Sequence, residues 1–148
     1  MLARAIEEAM QSPPVADAPF IFVGFWTDKG TCDEATTAVL QKLEGKKVFL
    51  FGTAGFDGGE NYYADILNKL ARDLPASNTV AGTFMCQGKM PAAVRQRYEK
   101  TLAENPDDTR AKAMIKSFDN ALSHPNKSDI ERLKSLVVWL AAGEAEEV

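Results

Sequence analysis

Three apolar runs, each followed by a stretch of helical periodicity, set the tightest limit on how this chain can fold. Phe20-Ile21-Phe22-Val23-Gly24 and Val48-Phe49-Leu50-Phe51 are continuous and rich in β-formers, and Thr79 to Met85 is a third such segment. Unbroken runs of this kind suit strands covered on both faces. A helical pattern ending near Leu43 follows the first run, and another follows the second from Glu60 to Leu74, with Ile66, Leu67 and Leu70 recurring along it. Strands alternating with helices of about 10–15 residues require right-handed crossovers and parallel pairing. The expected class is α/β with an open parallel sheet.

Local signals place the remaining elements. Leu2, Ala5, Ile6, Ala9 and Met10 share a helical stripe at the start of the chain. Gln11 to Pro19 holds three prolines and reads as a loop. Thr31-Cys32-Asp33-Glu34 fits a capping box, with Thr31 as cap, and Gly45 suits the C′ position of the helix it opens. The last third is helical. Pro91 to Leu102 is one segment, and Asn105-Pro106-Asp107-Asp108 opens a second through Ala111, Met114, Ile115, Phe118 and Leu122. Ser128 to Ala142 is a third, with a Ser128-x-x-Glu131 box.

Size and charge narrow the function classes. A chain of 148 residues is a single domain, spanning 1–148 with a frayed acidic tail over 143–148. Seventeen Lys and Arg against 21 Asp and Glu give a net charge of -4, which argues against general nucleic-acid binding. No apolar run nears the roughly 20 residues of a membrane span. Met1 to Met10 lacks a signal peptide's basic head and apolar centre. Two cysteines and one histidine cannot make a Cys/His zinc site unaided, and the reducing cytoplasm is the simplest compartment. No Ser/His/Asp set, paired-carboxylate spacing or Walker loop supports a hydrolase or kinase.

In an open parallel sheet, ligands bind beyond the carboxyl ends of the strands. Phe25 to Thr31, Thr53 to Gly59 and Cys86 to Met90 fall there. Phe25 and Trp26 stand directly after a strand. Thr53-Ala54-Gly55-Phe56-Asp57-Gly58-Gly59 offers backbone amides with few side chains in the way and one aromatic ring. Rings beside open amides suit a flat heterocycle with a polar edge.

On these residues the chain resembles the flavodoxin-like family. Phe25-Trp26-Thr27-Asp28-Lys29-Gly30-Thr31 matches the family's loop after its third strand. Gly52-Thr53-Ala54-Gly55-Phe56-Asp57-Gly58-Gly59, running into Asn61-Tyr62-Tyr63, matches the loop after its fourth. The likeness continues through Gly82 to Pro91. The resemblance implies a three-layer flavodoxin-like fold and FMN held by its isoalloxazine ring. The cofactor-binding residues it implies are Phe25, Trp26, Thr27, Asp28, Lys29, Gly30, Thr53, Ala54, Gly55, Phe56, Gly58, Gly59 and Tyr62. It implies electron transfer between a reductase and an acceptor oxidoreductase. Members of the family open with a strand and a Thr-Gly-Asn-Thr-like phosphate loop. Met1 here stands inside what resembles the following helix, so the chain reads as amino-terminally shortened. Either the start lies upstream, or the protein manages without that loop. Flavin held without its phosphate, as with riboflavin, is a third expectation. Without the family's central strand, Phe20 to Gly24 is a bare edge that invites pairing with another chain, and a homodimer is a candidate assembly. The contrasting expectation is a non-catalytic interaction module of the same fold that has lost tight flavin binding.

Other residues carry two readings each. Trp26 stacks on the ring or packs in the core, and one of Phe25 and Trp26 should turn inward. Tyr62 or Tyr63 covers the ring or packs. Asp28 and Lys29 form an exposed pair, or Lys29 favours a reduced, anionic flavin and so raises its potential. Cys32 and Cys86 are expected about 10 Å apart, beyond the ~7 Å limit for a disulfide, hence free thiols. Cys86 has no base nearby to make it a nucleophile. His124 is expected to cap a helix by its dipole rather than to catalyse. Trp139 packs in the core or at an interface. The Lys and Arg residues from Lys89 to Lys116 form a solvated face or a docking surface for an acidic partner.

Overall fold

The computed structural model describes the backbone of residues 1–9 and 18–146, and the side chains of residues 1–6 and 18–143. Element order is α1 (Leu2–Ala9), β1 (Phe20–Trp26), α2 (Glu34–Lys42), β2 (Lys47–Ala54), α3 (Gly59–Asp73), β3 (Thr79–Gln87), α4 (Ala92–Glu104), α5 (Thr109–Ala121) and α6 (Lys127–Glu146). The strands form a parallel sheet in the order β1-β2-β3. This is the open parallel α/β architecture expected from the sequence. The loop expected at Gln11 to Pro19 falls mostly on residues outside those described.

Alternation along the strands divides the core in two. Val23, Phe25, Val48, Leu50 and Met85 point to one face, where they meet Leu40 of α2 and Ile66 and Leu70 of α3. Phe49, Phe51, Phe84 and Cys86 point to the other, against Leu2, Ala5 and Ile6 of α1 and Leu133 and Val137 of α6. Helices therefore cover both faces and give three layers. Phe49, Leu50, Leu40 and Leu70 are fully buried, each worth about 1.5–3 kcal/mol against leaving it in water.

All three strands run two or three residues beyond their apolar cores, to Trp26, Ala54 and Gln87. Phe25, Trp26, Thr53, Ala54 and Cys86 are therefore strand residues rather than loop residues. The glycines at the ends of the apolar runs are there for packing. Gly24 pairs with Phe51, and Phe25 pairs with Gly52. A Cβ on Gly24 would lie 2.6 Å from the Phe51 ring, and one on Gly52 would lie 2.6 Å from the Phe25 ring. Each ring crosses over the glycine opposite, one on each face of the sheet.

Several caps differ from the sequence reading. Thr31 does not cap α2, because its backbone pairs with Asp28 across a tight turn (Asp28 N–H to Thr31 O 2.7 Å, Thr31 N–H to Asp28 O 3.1 Å). The central residues Lys29 and Gly30 both have positive φ, 50° and 79°, as a primed turn requires. Asp33 caps α2 instead, accepting from the Thr36 N–H at 2.8 Å. Gly45 lies one residue beyond C′, since α2 ends at Lys42 with Leu43 as its cap. At α6 the reciprocal box is Asn126 and Asp129, each side chain accepting the other's backbone N–H at 2.9 Å, so Ser128 lies inside the helix. The backbone of α6 continues to Glu146, and residues 147–148 of the expected frayed tail lie outside those described.

Candidate functional site

A groove of about 870 Å³ opens beyond the carboxyl ends of the strands, within the range of small-molecule sites. One wall is the turn after β1. Trp26, Thr27, Asp28, Lys29 and Gly30 all line it. Strand alternation sends Phe25 inward, 8% exposed, and leaves Trp26 61% exposed. Phe25 thus packs over Gly52 in the core and does not line the groove. The Thr27 N–H donates to the Thr53 carbonyl at 2.9 Å and fixes the turn to the end of β2. Its hydroxyl Oγ1 is buried without a hydrogen-bond partner. Such an atom costs free energy until something polar meets it.

The end of β2 and the loop after it supply the second side through Thr53, Gly55 and Phe56, with Tyr62 from the first turn of α3. Phe56 and Tyr62 meet edge to face, ring centres 5.2 Å apart at 87°. Burial pushes the Tyr62 phenol upward, so it stays neutral. Tyr63 stands at about 12, raised by burial and then by nearby carboxylates. Ala54 is buried in the core. Gly58 and Gly59 shape the turn rather than line the groove. A Cβ on Gly58 would lie 2.4 Å from Tyr62, and Gly59 starts α3 with φ 75°. The Met90 side chain lies across Gly55, where a Cβ would meet its Cγ at 2.1 Å. Methionine is flexible enough to act as a movable cover there.

Sequence reasoning missed the third side. Val94, Arg97 and Tyr98 of α4, and Arg110 and Met114 of α5, face the same groove. Their signal was the basic stretch after Lys89, read as a solvated face or a docking surface. Side-chain contacts hold this helical pair together and to the sheet. Arg95 grips Asp119 through two contacts, Nε to Oδ1 at 3.0 Å and Nη2 to Oδ2 at 3.2 Å, and also pairs with Glu99. The buried Gln87 amide donates to the Gly55 carbonyl at 3.1 Å and to the Ser117 carbonyl at 3.4 Å. One side chain thereby joins β3, the loop after β2, and α5.

The remaining candidates settle into structural roles. Cys32 and Cys86 are free and buried. Burial, followed by the charge of Asp129, raises the Cys86 thiol to about 12, so it holds no thiolate at neutral pH. His124 differs from its expected role. Its backbone N–H caps Ala121 at 3.0 Å, but its ring Nδ1 contacts Asp129 Oδ2 at 2.6 Å. Burial pushes the Asp129 carboxyl up, yet the Asn126 N–H, His124 and Arg132 outweigh it and hold the group below its ordinary value. Trp139 is 70% exposed on α6, so it is not a core residue. Among the described residues no cluster of His, Cys, Asp and Glu could hold a metal ion, and no helix is long and apolar enough to cross a membrane.

The donor set fits a flavin. Trp26 offers an exposed ring, and the edge-to-face Phe56–Tyr62 pair lines the same groove. Thr27, with its unpaired hydroxyl, and Gly55 line the same groove. Comparison with known proteins identifies the family. The flavodoxin domain family matches residues 3–138. The flavodoxin-like domain-containing protein BilS of Clostridium symbiosum is 38% identical over 128 residues, covering 82% of this chain and 67% of that protein. The protein of the same name from Clostridioides difficile is 34% identical over 110 residues, covering 74% and 62%. The chain therefore spans about two thirds of the length of these curated relatives. Fold, strand-end groove and sequence match agree that this chain belongs to the flavodoxin domain family.

Proposed function

We propose that this protein binds FMN and carries electrons between a reductase and an acceptor oxidoreductase in the cytoplasm. The observation that carries the reading is the strand-end groove lined by the exposed Trp26 ring, the edge-to-face Phe56–Tyr62 pair and Thr27, whose buried hydroxyl has no hydrogen-bond partner. When bound, FMN supplies the electron-transfer chemistry, and the chain supplies position and electrostatics. Trp26 would cover one face of the ring system. Tyr62, edge to face with Phe56, would shield it from the α3 side. The Thr27 hydroxyl and the backbone at Gly30 and Gly55 would meet its polar edge. The Lys29 ammonium, projected by a left-handed residue in the turn, would favour the reduced, anionic form and raise the potential.

Titration with FMN and with riboflavin, following flavin fluorescence, tests this. Saturable quenching, with absorbance bands of a bound oxidised flavin, is the expected result. Absence of both sinks the reading. A specific observation favours a second one. Among the described residues β1 pairs only with β2, so its outer edge is open for another strand. An interaction module, or a homodimer through that edge, would use it. A monomeric mass at micromolar concentration removes the dimer.

A further inference from the structure

The α4–α5 wall has a charge that the flavin reading does not use. Lys29, Lys89, Arg97 and Arg110 all line the groove, where Asp28 is the sole carboxylate among the described lining residues. None of the four cations forms an ion pair among the described residues. Asp119 of the helical pair is already taken by Arg95. This concentration stands out in a chain of net charge -4. Arg97 lies over the Tyr98 ring at 5.2 Å, which orients its guanidinium without neutralising it. Val94, Tyr98 and Met114 set apolar surface beside the two arginines.

We infer that this wall binds an oxyanion-bearing ligand with an apolar or aromatic body. The body lies along Val94, Tyr98 and Met114, and the anion meets Arg97 and Arg110. Guanidinium groups suit that role, because their fixed forks match carboxylate and phosphate oxygens. A concave site favours a small molecule over a protein surface, and the Gln87 link holds the wall against the sheet. The inference stands on the wall itself and survives failure of the flavin reading. The oxyanion has two sources: the phosphate of a flavin in the groove, or the acid group of a separate organic molecule.

The test compares the parent protein with the double variant Arg97→Gln/Arg110→Gln. The control is Lys112→Gln/Lys116→Gln, which removes the same charge from α5 positions outside the groove lining. The probes are FMN, uncharged riboflavin, and the aromatic sulfonate 8-anilinonaphthalene-1-sulfonate, each titrated by fluorescence. Circular dichroism confirms that the variants fold. The expected result is saturable binding of an anionic probe, weakened about tenfold in the groove variant and little changed in the control. Loss for FMN with riboflavin unaffected assigns the wall to the flavin's phosphate. Loss for the sulfonate with both flavins unaffected assigns it to a separate acid. Equal loss in the groove and control variants, or no saturable binding of either anionic probe, overturns the inference.

Discussion

Phe25 and Gly52 face each other across β1 and β2, and the phenyl ring fills the space where a side chain on residue 52 would begin. The clearance to a built Cβ is 2.6 Å, against ordinary contacts of 3.4–4 Å. Gly52→Ala therefore forces the Phe25 ring or the strand to move. The expected cost is about 1–3 kcal/mol, as for other overpacked cores. Urea unfolding measures it. Phe25→Ala combined with Gly52→Ala should remove the clash but leave a cavity, so the two changes will not add.

Trp26 is the opposite case. At 61% exposure it contributes little to the core. Trp26→Ala should leave the unfolding midpoint nearly unchanged while weakening flavin binding about tenfold. In a Trp139→Phe background Trp26 is the single tryptophan of the chain. Its emission should then be quenched as FMN is added. Unchanged emission at saturating FMN would exclude ring contact.

Asp129 should make stability depend on acid pH. Its folded carboxyl lies below the ordinary 3.8, so the unfolded chain takes up a proton first as pH falls. The contribution is fully present above the unfolded value and is lost as pH drops through the folded one. Asp129→Asn, which also loses a capping acceptor, should cost about 1 kcal/mol at pH 7. The gap to the parent protein should narrow below about pH 4. Thermal melts of both proteins between pH 7 and pH 3 check this.

The two thiols should be silent in the folded protein. Both are buried, and Cys86 is pushed to about 12. Ellman's reagent at pH 8 should react slowly with the native chain and release two equivalents in denaturant. Fast native reaction of one thiol would show that the segment covering it opens readily.

Sequence reasoning reached the sheet because Val48, Phe49 and Leu50 need cover on both sides, which a parallel sheet flanked by helices supplies. It also reached the two loops, where glycine and aromatic residues depart from ordinary turn composition. It stopped the strands early because Gly24 and Gly52 resemble breakers, although each is the receiving half of a ring contact made by a residue far away in sequence. Thr31 and Ser128 look like caps by spacing. The turn at Asp28 and the box at Asn126 took those positions through backbone geometry that no local pattern records. Arg97 and Arg110 were hidden for a related reason: helical periodicity tells which residues share a face, not what that face overlooks.

The Gln87 amide holds the loop after β2 and helix α5 at once. The Asp57 N–H adds a second tie, to the Ser117 hydroxyl at 3.5 Å. The loop that carries Phe56 is thereby fastened to the helix that carries Arg110 and Met114, and a displacement of either would be felt by the other.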